Sequence, residues 1–199
     1  MLDVTTYLPK LKEFEGVYSH MYLDTTDNVT VGAGQMLANV AAAQKLAFVV
    51  RPDPAANPPV SARPATPDEI QADFDSVTRQ PGGRTAGFYK QFTKLDLPAS
   101  AIDSVLNSKV QEFTASLCVK FPDFNSYPQE ACAAIFDMAY NLGVEKLTSE
   151  FPTFSKAVRA RDWATAAREC QRRGIGDARN NWTKLQLDNA AADAQAAKA

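Results

Sequence analysis

Apolar residues recur along this chain at two periods, and the switches between them mark its elements. Near the start Leu8, Leu11 and Glu15 fall at i, i+3 and i+7, so a first helix ends in a carboxylate on the stripe that faces the core. Thr6 is placed to cap this helix and Pro9 to sit in its first turn. Glu13 lies about 140° round from Leu8 and points away. The period then shortens: Met21-Tyr22-Leu23 and Val29-Thr30-Val31 read as strands joined by the turn Thr25-Thr26-Asp27-Asn28. Gly32 and Gly34 follow, removing side-chain bulk where a ligand could approach the backbone.

Residues 52–67 hold six of the twelve prolines, including Pro58-Pro59, which predicts an extended loop. Thr66-Pro67-Asp68-Glu69 is a capping box with proline at the first helical position. The helix it opens carries Ile70, Phe74 and Val77 on one face, and Gln80-Pro81-Gly82-Gly83 breaks it. From Pro98 the chain reads as helical. Ile102, Val105, Leu106, Val110, Phe113 and Leu117 form one stripe that Phe121-Pro122 stops. Ser126 and Gln129 make a second capping box ahead of Ala131, Ala134, Ile135, Met138 and Leu142, with Gly143 as the stop. The tail from Asp188 to Ala199 lacks large apolar residues and reads as frayed helix or disorder. The expected fold is α+β and mainly helical.

Composition narrows the classes. No apolar run approaches the roughly 18 residues a membrane span requires. Met1-Leu2-Asp3-Val4-Thr5-Thr6 has no basic region followed by an apolar stretch, so no signal peptide is expected. Twenty-one Lys and Arg against 23 Asp and Glu give a net charge of −2, which argues against a nucleic-acid binder. The basic groups Lys156, Arg159, Arg161 and Arg172-Arg173 read as solvated helix faces. Cys118, Cys132 and Cys170 are odd in number and lack metal-ligand spacing; Cys132 suits a small buried apolar position. The single histidine, His20, makes a zinc site or serine triad improbable and is expected in a surface loop or at a cleft edge.

The candidate chemistry sits at the N-terminal end. Glu15 on an apolar face loses hydration, which favours its neutral, proton-donating form, while Asp24 on the turn is expected to be ionised and solvated. One carboxyl can protonate a glycosidic oxygen while the other and the Thr30 hydroxyl hold a water on the opposite face of the sugar. Thr30 lies six residues beyond Asp24 across the turn, which leaves room for that water and predicts inversion of configuration. At the end of the Ala131–Leu142 helix, Tyr140 can stack on a sugar face, and Asn141 can hydrogen-bond a sugar substituent or cap the helix.

The run Leu11-Lys12-Glu13-Phe14-Glu15-Gly16, then Tyr22-x-Asp24, then Thr30-x-Gly32-x-Gly34 resembles the catalytic segment of the phage-type lysozymes of the T-even kind, glycoside hydrolase family 24. Both intervals from Glu15, to Asp24 and to Thr30, agree with that pattern. Gln35 stands where the family usually has a supporting histidine. Ala131 to Gly143 resembles the family's central helix beside the sugar cleft. Asp162-Trp163-Ala164-Thr165-Ala166-Ala167 and Gly174-Ile175-Gly176-Asp177-Ala178-Arg179-Asn180 resemble its later helices. The likeness spans roughly residues 5–187, with 37–64 and 79–121 outside its pattern.

The resemblance implies a lysozyme-like two-lobed domain over residues 1–187. Its small hairpin lobe would cover about 15–78, and its helical lobe about 98–187 with the N-terminal helix, around a glycan cleft. An Ala-rich tail would fill 188–199. It further implies an N-acetylmuramidase, a bacteriolytic hydrolase or toxin that cuts the β-1,4 bond between N-acetylmuramic acid and N-acetylglucosamine in peptidoglycan. Glu15 would be the general acid, Asp24 and Thr30 the water-holding pair, Gly32, Gly34, Met36, Tyr140 and Asn141 the substrate contacts, and Arg179 a cation approaching Glu15. No cofactor or metal is implied, and the protein would act as a monomer in the periplasm or on the wall, delivered by a holin, a secretion machine or lysis. Weak electrostatic steering toward an anionic wall fits direct delivery, and an injected effector would be accompanied by an immunity protein. The alternatives are a lytic transglycosylase, a chitin- or chitosan-cleaving enzyme, and a non-catalytic wall-binding or tail module.

Overall fold

The computed structural model describes residues 4–197; the leader reading at Met1–Asp3 and the last two residues of the tail lie outside them. The chain is mainly helical with two small antiparallel sheets and divides into two compact units, 12–107 and 1–11 with 108–199. Its helices are α1 (Val4–Glu15), α2 (Val40–Ala43), α3 (Pro67–Thr78), α4 (Ala99–Lys120), α5 (Gln129–Leu142), α6 (Val144–Glu150), α7 (Pro152–Arg159), α8 (Trp163–Arg168) and α9 (Asp177–Ala196), and both boundaries fall inside helices, α1 and α4. Among the described residues no helix is long and apolar enough to cross a membrane. Helix α1 is already formed at Val4, so Thr6 lies within it rather than at its cap, and Pro9 falls in its second turn at an exposed position. Leu11 is fully buried, Glu15 half-buried and Glu13 exposed, as the helical stripe requires.

In the unit 12–107 the first sheet runs β1 (Tyr18–Leu23), β2 (Val29–Gly32) and β3 (Gln35–Met36), one strand more than the expected hairpin. Tyr18 pairs with Gly32 and Tyr22 with Thr30, so three residues of β1 lie between these pairs where β2 has one. This bulge gives Ser19 and His20 partners outside the sheet. Ser19 O accepts from Leu97 N at 2.7 Å, and Ser19 Oγ donates to Asp96 Oδ1 at 2.8 Å. His20 Nε2 donates to Ala86 O at 2.8 Å. His20 is therefore a buried strand residue rather than a loop residue, and burial lowers its pKa.

Thr66 caps α3 (Pro67–Thr78) with Glu69 closing the expected box; Ile70 and Val77 are buried and Phe74 packs against the same core. The segment 79–98, unassigned by periodicity, forms a 3₁₀ helix (Ala86–Phe92) against β1 and the strand β6 (Leu95–Asp96). Strand β6 completes a second sheet with β4 (Val49–Val50) and β5 (Arg63–Pro64). The buried Asp73 carboxylate on α3 accepts from the Lys94 and Leu95 N–H groups at 2.8–3.0 Å and thereby anchors that strand.

The helical unit is built on α5 (Gln129–Leu142), which packs against α9 (Asp177–Ala196). Pro128 occupies the N-cap position of α5, and Ser126 Oγ instead donates to Asp123 O, so the Ser126–Gln129 box does not form. Helix α9 continues to Ala196 with Leu187 and Ala190 buried, which orders most of the tail expected to fray.

At the centre of this unit Asp137 is 0% exposed and lies 2.8 Å from Arg172, whose side chain is 1% exposed. Arg179 reaches the same carboxylate at 2.9 Å, while the Tyr7 and Thr183 hydroxyls donate to it at 3.2 and 3.0 Å. Arg172 is thus a buried ion-pair partner and not part of a solvated face, because Asp137 and the Asn180 and Thr183 side chains satisfy its donors. Asp137→Asn keeps the shape but leaves buried guanidinium charge uncompensated, so its unfolding free energy in urea is expected to fall by about 3–5 kcal/mol. Asp188→Asn, which breaks the exposed pair with Lys184, should change it by less than about 0.5 kcal/mol. A loss below about 1 kcal/mol for the Asp137 variant would mean that the cluster is not a determinant of stability.

Candidate active site

Glu15 is the last residue of α1, and Gly16 at φ +67° takes the left-handed conformation that ends the helix without cost to a side chain. One turn earlier Lys12 pairs with Asp103 on α4, fixing this end of α1 within its unit. The polypeptide then enters β1 and reaches Asp24, whose N–H donates to Asn28 O at 3.0 Å and closes the turn. Asp27 sits at φ +61°, a left-handed position that Asp tolerates.

The two oxygens of Asp24 have different surroundings. Oδ1 accepts from Thr26 N at 2.8 Å, Thr26 Oγ1 at 2.9 Å and Asn28 N at 3.0 Å. Asn28 Nδ2 donates to Thr26 Oγ1 at 2.7 Å, which turns that hydroxyl's proton toward Asp24. Among the described residues Oδ2 has one hydrogen-bond partner, the Thr30 hydroxyl at 3.4 Å, which also lies 3.2 Å from Asn28 O. Burial pushes the Asp24 carboxyl up, but the donors of Asn28 and Thr26 outweigh it and hold its pKa below the ordinary carboxylate range. Asp24 is therefore ionised, with one oxygen locked and the other available.

The cleft measures about 510 Å³, within the roughly 300–1,000 Å³ of small-ligand sites. Glu15, Tyr18, Tyr22, Leu23, Asp24, Thr25, Thr30 and Gly34 line it from α1 and the first sheet, and residues 83–86 close it from the other side. A methyl group placed on Gly34 would stand 3.9 Å from Glu15 Oε2, so the glycine keeps the space beside that carboxyl open. Tyr18 and Tyr22 meet edge to face at 5.2 Å, brought onto one wall by the bulge between them. Burial, with Asp24, Tyr18 and Glu15 nearby, pushes the Tyr22 hydroxyl up to about 12, so it stays a neutral phenol.

Two expected substrate contacts lie elsewhere in the same unit. Gly32 is buried against Ile102 and is not among the lining residues, and its φ of +66° is the conformation that calls for glycine there. Met36 is exposed on β3 and is not among the lining residues, and Gln35 donates to Met36 O at 2.9 Å. In the helical unit Tyr140 stacks on Phe136 at 5.8 Å and lies 5.4 Å from Phe113. Asn141 is half-buried in the last turn of α5, which Gly143 ends, and Arg179 holds Asp137. Tyr18 and the residues 83–86 were not legible as site members. Tyr18 is set by the bulge, and the Gly82-Gly83 break carries no sign of what it packs against.

Because the folded-state pKa of Asp24 is depressed, its contribution to the turn is complete above the unfolded carboxylate pKa and is lost as pH falls through the lower folded value. Amide shifts of Thr26 and Asn28 should therefore titrate with a midpoint below about 3.9. A midpoint at or above that value would mean that the three donors do not hold the charged form.

No protein-family model matches the chain, and no curated protein matches it.

Proposed function

We propose that this chain is a peptidoglycan muramidase of lysozyme-like, two-lobed fold, in which the unit 12–107 carries the chemistry. The observation that supports it most is the unequal hold on Asp24: Oδ1 is saturated by the turn, and Oδ2 stands 3.4 Å from the Thr30 hydroxyl in a cleft that Glu15 also lines. A water bound there can donate one hydrogen to Oδ2 and the other to Thr30 Oγ1, which aims its lone pair outward at a sugar. Glu15 donates its proton to the leaving glycosidic oxygen as the water attacks from the opposite face.

A carboxylate held in its charged form is a weak base, and little basicity is needed. The transition state is oxocarbenium-like, so Asp24 first orients the water and stabilises positive charge, and it takes the water's proton as the new C–O bond forms. Tyr18 and Tyr22 offer aromatic surface to the ring. The slightly acidic balance of the chain suits delivery to the wall by a holin, a secretion machine or lysis.

Glu15→Gln removes the transferable proton and should lower the release of reducing muramic ends from purified wall by about 10²–10⁴. Glu13→Gln, at an exposed position, should lyse like the unaltered protein; equal lysis by both variants would place the acid elsewhere. Mass spectrometry of the fragments separates the alternatives, since anhydro ends indicate transglycosylation and no release indicates a binding module. Anomeric proton NMR early in hydrolysis should show the α-anomer first. A β-anomer first would make Asp24 the attacking group.

A further inference from the structure

The cleft has a charged residue that the chemistry above leaves unused. Its lining holds Glu15, Asp24 and one cation, Arg84. Arg84 is exposed, makes no ion pair among the described residues, and has its guanidinium 5.8 Å from the Phe88 ring centroid. Its loop is fastened at three points. The Asp27 carboxyl lies against Gly82, where any side chain would collide with it, so the loop abuts the same turn that carries Asp24. Tyr89 donates to Pro81 O at 2.9 Å, and His20 donates to Ala86 O at 2.8 Å. An exposed guanidinium on a fastened loop of the cleft wall, with no ion pair among the described residues, is suited to an anion that the ligand brings.

We propose that Arg84 receives a carboxylate carried on the lactyl-peptide arm of a muramyl residue bound in this cleft, and so selects muramyl glycan over glycan built of N-acetylglucosamine alone. The assignment rests on the muramidase reading. The lactyl ether is what distinguishes the two sugars, and it ends in a carboxylate when bare or in a peptide that bears carboxylates. The planar guanidinium fork matches a carboxylate with two parallel hydrogen bonds, and Phe88 limits its swing. A glycan of N-acetylglucosamine offers no anion to it.

The test uses soluble wall fragments in three forms: peptide-bearing, peptide-bearing with carboxylates converted to methylamides, and stripped of peptide so that the lactyl carboxylate is free. The unaltered protein should favour the first over the second by about tenfold in kcat/KM. Arg84→Met should erase that preference through KM, and Arg84→Lys should keep part of it because the charge remains without the fork. Stripped strands cut as well as the first form, with that rate lost in Arg84→Met, extend the site to the lactyl carboxylate, and strands cut as slowly as the second form confine it to the peptide's; equal cutting of the first two forms by the unaltered protein overturns the proposal. Retention of the full preference by Arg84→Met overturns the proposal while leaving the muramidase reading intact. Should the unaltered protein cut none of the fragments, the muramidase reading falls, and calorimetric binding decides: discrimination lost in Arg84→Met upholds the carboxylate site, and equal binding of the first two forms overturns it.

Discussion

The hold that Thr26 and Asn28 place on Asp24 Oδ1 is the constraint on which the candidate site depends. Three donors on one oxygen fix the carboxylate plane, keep it charged, and direct its second oxygen toward Thr30. The turn, the left-handed Asp27 and the placement of residues 82–86 follow from the same few residues, since the Asp27 carboxyl is what Gly82 accommodates.

The two strands over Met21–Leu23 and Val29–Val31 were legible because alternation and turn chemistry act locally, and the Thr66 box formed for the same reason. What escaped depends on residues distant in sequence. His20 is buried because a bulge turns it to Ala86, and Arg172 because Asp137, on another helix, neutralises it. The Ser126–Gln129 box failed where a local rule met another local rule: Pro128 takes the cap position and has no side-chain acceptor to offer. In the site itself, Glu15, Asp24, Thr30 and Gly34 could be read from spacing, and all four line one cleft. Gly32 could not be told from Gly34 by sequence, since only the fold puts Ile102 behind one and Glu15 beside the other.

The two units rest on different physics. The unit 12–107 has a core of side chains from short strands and α3, with Asp73 and Arg51 tying β6 by hydrogen bonds to backbone and carboxylate. The helical unit adds a buried charge cluster that ties α5 to α9 and is costly to desolvate and strongly destabilising to break.

The three thiols add a chemical property to this picture. Cys118, Cys132 and Cys170 are all unbridged, and Cys132 and Cys170 are buried. Burial pushes the Cys132 thiol up to about 11, so at neutral pH only about one molecule in ten thousand carries its reactive thiolate. Its Sγ donates to Phe124 O at 3.2 Å, behaving as a small core group. With Cys132 and Cys170 muted in this way, the core of the helical unit keeps the same covalent form in a reducing and an oxidising compartment, and crossing from one to the other asks nothing of its buried sulfurs.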